Sequence, residues 1–183
     1  IHLRWSVDEL FLRSNLSSEI DNNLAIFTSR PDRNLELLIN IWTNSIIKMR
    51  GNSKLLVTDN NFIYKNSSIS KRKLGNQKDL LRDLLKARIC LLPGHKSELF
   101  CLAAEEAREL CIPIITLGLG CLGERVEHNT TGFIAKNEHE FANYTLKLFS
   151  DDELWNRLRL NLIKKRKTNT WKKVAEQLID QLY

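Results

Sequence analysis

Two carboxylates, two guanidiniums and a glycine-rich stretch are the residues here whose types and spacing could do chemistry. Arg30 and Arg33 lie in Ser29-Arg30-Pro31-Asp32-Arg33, after the apolar run Leu24-Ala25-Ile26-Phe27-Thr28 and before a helical pattern. A helix start offers free backbone N–H groups and a positive dipole end, so two guanidiniums beside it suit a diphosphate. Glu98 and Glu106 lie in His95-Lys96-Ser97-Glu98-Leu99-Phe100-Cys101-Leu102-Ala103-Ala104-Glu105-Glu106-Ala107. In one helix the two would be offset by about 80°. With Glu98 in the loop ahead of the helix, both can face one crevice, with the amides of Cys101 and Leu102 between them. On spacing alone the pair reads as solvated glutamates of an ordinary helix. Glu105 is rotated about 100° from Glu106 and is expected to stand apart from any such site.

Gly118-Leu119-Gly120-Cys121-Leu122-Gly123 has the form G-x-G-x-x-G after a strand. A dinucleotide fingerprint needs a full crossover helix and then an acidic residue ending the next strand. Thr131-Gly132 interrupts the chain within ten residues, and the stretch follows a late strand. It is read as a glycine-rich loop at a ligand crevice. An NAD(P)-binding half of an oxidoreductase stays as the alternative enzyme class.

The elements that must position these residues alternate. Short apolar runs at Leu24–Thr28, Lys54–Thr58, Ile89–Leu92, Ile112–Thr116 and Phe133–Ala135 predict buried strands, and Ser68–Lys71 a weaker one. Helices are predicted from Asn34 to Arg50, Gln77 to Ala87, after Pro93-Gly94 to about Leu110, Glu138 to Ser150, Asp152 to about Lys164, and Trp171 to Tyr183, with Asp32 as N-cap of the first. Continuous apolar strands without alternation belong to a sheet covered on both faces. The expected fold is α/β: a doubly wound, mainly parallel sheet with helices on both faces, Rossmann-like, whose ligand lies at the carboxyl ends of the strands.

Composition narrows the class further. The 183 residues start at Ile1, as expected of a segment of a longer protein, and suit one domain with a small appendage. Hydrophobic and charged shares of 43% and 27% exclude global disorder. No run of about 18 apolar residues predicts a membrane-spanning helix, and the first residues lack a signal peptide's apolar core. A formal net charge of +6 favours anionic partners. Cys90, Cys101, Cys111 and Cys121 form no C-x-x-C and are read as buried free thiols of a reducing compartment. Lys164-Lys165-Arg166-Lys167 with Trp171-Lys172-Lys173 could make a basic module that touches acidic lipid or nucleic acid. A solvated helix end is the preferred reading of that cluster.

The ordered set of segments resembles the C-terminal, donor-binding domain of GT-B glycosyltransferases of the family 4 type, the glycosyl transferases group 1. The resemblance runs through Ser6–Phe11, Ser29–Asn34, Ala87–Pro93, Glu98-x7-Glu106-Ala107, Ile112–Thr116, Gly120–Val126, Thr131-Gly132-Phe133 and Trp171–Ala175. It implies that Arg30 and Arg33 neutralise a donor diphosphate and that Glu98 sits by the donor sugar. It implies that Glu106 holds the ribose hydroxyls, that Cys101 and Leu102 supply backbone amides, and that Gly120 belongs to the donor site. Leu99 and Cys101 stand where the family usually has Gly, and Arg33 where it has Lys. The resemblance divides the chain into a crossing segment (1–23), a donor domain (24–167) and a terminal helix (168–183) directed toward an absent N-terminal domain. It implies a retaining transferase using a UDP- or GDP-sugar, with no tightly bound cofactor or metal and no nucleic acid partner. The acceptor would be a saccharide or lipid-linked group held by the absent domain. The setting would be cell-surface polysaccharide synthesis in the cytoplasm, with peripheral contact at the inner face of the membrane.

Overall fold

A computed structural model of the chain describes residues 6–58, 60–73, 75–166 and 170–182. Lys167 and Tyr183, the ends of two predicted segments, lie outside them. The described elements run α1 (Glu9–Leu12), β1 (Asp21–Phe27), α2 (Leu35–Ile41), a π-helical turn (Trp42–Ile46), α3 (Ile47–Met49), β2 (Lys54–Val57) and β3 (Ile69–Lys71). They continue with α4 (Gln77–Lys86), β4 (Ala87–Leu91), α5 (Leu102–Glu109), β5 (Ile114–Thr116), α6 (Leu122–Arg125), β6 (Gly132–Ile134), α7 (Glu138–Ser150), α8 (Asp152–Lys165) and α9 (Trp171–Leu182).

The strands form one six-stranded sheet of order β3-β2-β1-β4-β5-β6. Every pairing is parallel, in registers such as Ala25 with Leu55 and with Ile89. This is the doubly wound sheet expected from the apolar runs. Right-handed crossovers send α2 to one face and α4 and α5 to the other, because the winding direction reverses after β3. The π-helical turn packs with α7 on the first face, and α1 touches α4 and α5 on the second. Ala25, Ile26, Phe27, Leu55, Val57 and Ile89 are fully buried between the layers. The reversal between β1 and β4 opens a crevice at their carboxyl ends, the usual ligand place in such sheets.

Helix limits follow local caps where caps exist. Asn76 closes a capping box on α4, Asn137 accepts from the Glu140 amide, and Asp151 accepts from the Leu154 amide. Three expectations are corrected. The N-cap of α2 is Asn34, in a left-handed conformation (φ 63°), not Asp32. Its side chain is drawn away to the Gly94 carbonyl (2.5 Å) and Asp32 is engaged by Arg30, so neither caps the helix. β1 begins at Asp21, not Leu24, because its polar first residues still pair with β4 at Ala87. The helix after Pro93-Gly94 starts only at Leu102, and 95–101 is loop.

Arg88 binds the far layer to the sheet. It is 2% exposed and donates to the Leu148 carbonyl (2.7 Å), Asn22 Oδ1 (2.8 Å) and Asp152 Oδ1 (2.5 Å). Its guanidinium lies 4.8 Å from the centre of the Trp155 ring, whose Nε1 donates back to the Arg88 carbonyl. The basic run at the end of α8 is partly consumed in the same way. Lys165 pairs with Glu127, and Arg166 donates to the carbonyls of Phe11 and Leu12. Among the described residues no helix is long and apolar enough to cross a membrane.

Candidate functional site

Two loops meet at the crevice where the sheet reverses. The β1 loop turns tightly, with Arg33 N bonded to the Arg30 carbonyl and Leu35 N to the Pro31 carbonyl. That turn directs Arg33 inward, and its Nε reaches Glu98 Oε2 of the β4 loop at 2.9 Å. Both side chains are largely sheltered, at 20% and 14% exposure. The amide of Ser97 donates to His95 Nδ1, so that nitrogen is an acceptor, and Arg33 Nη1 approaches it at 3.4 Å. Asn34 holds Gly94 of the opposite loop, so the two loops are fastened on both sides of the ion pair. Phe27, Ser29, Leu92, Gly94, Cys101 and Leu122 complete the narrow cleft around Arg33 and Glu98.

Arg30 goes elsewhere. Its Nε and Nη2 fork onto Asp32 at 3.0 and 2.7 Å, and its side chain is 73% exposed. The structure therefore brings Arg33 to Glu98 and leaves Arg30 on the outer rim of the same loop.

Gly120 lies against the back of the β4 loop. Its φ is +60°, and a Cβ there would stand 2.5 Å from the His95 carbonyl oxygen and 2.6 Å from that of Glu98. Cys121 N donates to the same Glu98 carbonyl at 2.9 Å. The glycine-rich stretch is thus a brace for Glu98. It follows β5 and leads into a single turn of helix, whereas a dinucleotide loop follows the first strand. The alternative dinucleotide reading loses its basis.

Cys101 caps α5 from the left-handed region (φ 55°), where a side chain is strained and glycine is not. It is buried and its carbonyl accepts from the amides of Ala104 and Glu105, which leaves the amides at Cys101 and Leu102 at the positive end of the helix. Leu102 is 52% exposed and Leu99 89% exposed. Burial pushes the Cys101 thiol up to about 12, eased by the Ala104 amide and raised further by Glu98 and Glu106. All four cysteines are buried free thiols.

Glu106 is half-buried on α5, and its charge helps to raise the thiols of Cys90 and Cys101. Burial raises its carboxyl to about 7; Arg72 opposes the shift and Asp8 adds to it. Glu105 is the surprise. It is 3% exposed, pairs with Arg108, and reaches Arg125 Nη1 of α6 at 3.2 Å. Glu105 is therefore not a solvated side chain of the helix: α6 docks on that side of α5 through Arg125. Sequence reasoning also missed His95 and Asn34; no spacing marks them, and only the meeting of the two loops gives them partners.

The sequence pattern of the family described as "Glycosyl transferases group 1" matches residues 30–167, well over half of the chain. The chain belongs to this family. Solved glycosyltransferase structures share its fold. TarM from S. aureus, solved with fondaparinux, α-GlcNAc-glycerol and UDP, superposes with a TM-score of 0.70 at 16% identity. That superposition covers 91% of this chain and 37% of TarM. Anabaena Alr3699/HepE, in complex with UDP and glucose, gives 0.72 at 15% identity, over 88% of this chain and 48% of that one. The C-terminal domain of LpcC, a glycosyl transferase group 1 family protein from Francisella tularensis, gives 0.68 at 16% identity, over 88% and 98%. The chain thus spans a little over a third of TarM and nearly the whole of the LpcC domain. No curated protein matches it by sequence.

Proposed function

We propose that this chain is the donor-binding domain of a retaining glycosyltransferase of the family 4 type that takes a sugar from a UDP- or GDP-sugar. The observation that carries the reading is the Arg33–Glu98 pair, 2.9 Å apart, where the sheet reverses its winding. A guanidinium there can take over the charge that gathers on a departing diphosphate, and the N-terminal amides of α5 at Cys101 and Leu102 add donors to it. Arg30, on the same loop, can swing from Asp32 to the outer phosphate. Glu98, released from Arg33 as the diphosphate enters, accepts from hydroxyls of the donor sugar near the breaking bond. Glu106 accepts from the vicinal ribose hydroxyls. Gly120 lets the loop backbone come close enough to hold Glu98. No tightly bound metal or other cofactor is required by this scheme.

In the transfer the bond from the sugar carbon to the diphosphate oxygen breaks and the diphosphate keeps the electron pair. An acceptor hydroxyl bonds to the same face of that carbon and passes its proton to the departing diphosphate oxygen. The acceptor is a saccharide or a lipid-linked group held by another part of the whole protein. The proposed setting is cell-surface polysaccharide assembly in the cytoplasm, at the inner face of the membrane; WaaG, which shares the fold, is a glycosyltransferase involved in lipopolysaccharide biosynthesis.

Titration with UMP, UDP, GDP, ADP and the matching sugars tests the reading. Arg33→Ala with Arg30→Ala should weaken nucleoside diphosphates by about tenfold or more, the scale of losing one charge-assisted contact, and nucleosides far less. Equal losses for both ligand types would remove the diphosphate assignment. Glu98→Ala should spare UDP or GDP, whereas Glu106→Ala should weaken both nucleotide and nucleotide sugar.

A further inference from the structure

The Glu98 segment is held from behind by a buried ionic device. Arg125, the last residue of α6, lies with its guanidinium 4.7 Å from the centre of the Phe100 ring. The same guanidinium reaches Glu105 Oε1 at 3.2 Å, and Glu105 also holds Arg108. Phe100 is two residues beyond Glu98 and directly ahead of the strained Cys101. At the other end of this short segment, Cys121 N donates to the Glu98 carbonyl. One short turn, from Gly120 to Arg125, therefore grips the segment at both ends.

A carboxylate that is 3% exposed costs free energy even when paired, and an apolar side chain would fill the α5–α6 contact without that cost. What an ion pair adds is a fixed place for the charge: Glu105 holds the guanidinium at the α5–α6 contact, and there it lies over the Phe100 ring. We propose that Arg125 is a positioning residue which, paired with Glu105 and lying over Phe100, sets the place of Glu98 for the donor sugar. Arg125 is not among the residues that line the cleft around Glu98, and its side chain also hydrogen-bonds that of Cys121; it acts through the peptide between Glu98 and Cys101 and through the turn that holds it. The role of Glu98 in this inference rests on the proposed function, but the clamp itself can be measured without it.

The test uses this chain with Arg125→Met and with the double change Glu105→Leu, Arg125→Leu, which replaces the ion pair by an apolar contact. Amide exchange at Cys121 reports the grip on Glu98. Exchange at Cys90, bonded to the Pro113 carbonyl within the sheet, is the internal reference. Arg125→Met should speed Cys121 exchange about tenfold and leave Cys90 unchanged. It should also weaken a nucleotide sugar about tenfold while the matching nucleoside diphosphate changes by less than about threefold. The double variant should regain the melting temperature but neither the Cys121 protection nor the sugar affinity. A merely structural Arg125 would recover all three. Unchanged Cys121 exchange in Arg125→Met, or full recovery in the double variant, overturns the proposal. Failure of the unsubstituted chain to bind any nucleotide sugar would instead remove the proposed function, and the amide exchange would still decide the clamp.

Discussion

At the scale of single residues, Glu106 couples protonation to stability. Its carboxyl is raised from 4.5 to about 7, chiefly by burial. The folded chain therefore binds this proton more tightly than the unfolded chain. Stability attributable to Glu106 is full below 4.5, falls as pH rises through the window up to about 7, and is level above it. Glu106→Gln should be the more stable protein at pH 8, by on the order of 1–2 kcal/mol after allowance for partial exposure, and should lose the advantage at pH 4. Melting curves at the two pH values decide this. A ribose accepted by the carboxylate also requires the charged form, so nucleotide affinity should rise between pH 6 and pH 8. Glu106→Gln should flatten that rise. Cys101 allows a second test. At φ 55° a Cβ is strained, so Cys101→Gly should be about 1 kcal/mol more stable than Cys101→Ala, since both lose the thiol and only one keeps the strain. Equal denaturation midpoints would show that the loop relaxes around the side chain.

At the scale of elements, the contact between the sheet and the α7–α8 pair turns on Arg88. Three hydrogen-bond partners and the Trp155 ring converge on one buried guanidinium. Arg88→Met fills much of the volume but strands the Leu148 carbonyl, with an expected loss of about 2–4 kcal/mol in denaturant unfolding. A loss below about 0.5 kcal/mol would mean that solvent replaces those contacts freely. The site depends on elements in the same manner. Arg33 and Glu98 belong to loops on either side of the winding reversal, and only the adjacency of β1 and β4 brings them to 2.9 Å.

At the scale of the whole molecule, α9 is the least integrated part of the described chain. Val174 is 5% exposed, while Trp171, Ile179 and Leu182 stand at 46%, 55% and 60%. An apolar stripe so open agrees with a helix meant to cover another part of a longer protein, which remains our proposal for residues 168–183. Ending the chain at Arg166 should therefore lower the melting temperature by only a few degrees, the shift expected of about 1 kcal/mol. A collapse of the fold on truncation would place α9 in this domain's own core.

What the sequence alone determined is the local grammar. Apolar runs without alternation marked the buried parallel strands, and Asn137 and Asp151 set the first turns of α7 and α8, because caps and periodicity act within a few residues. The glutamate pair, the arginine loop and the glycine stretch were all visible as residues. The tertiary structure decided how they divide the work. Arg30 and Arg33 are three positions apart, yet one meets Glu98 across the crevice and the other folds back on Asp32. Glu105 and Glu106 are neighbours, yet one is sealed in an ion pair with α6 and the other is half-buried, its carboxyl raised chiefly by burial. The glycine stretch reads as a loop at a ligand crevice, and its packing makes it a brace behind Glu98. Each difference depends on what packs opposite the side chain, and those partners come from strands and helices far along the chain, where neither spacing nor propensity reaches.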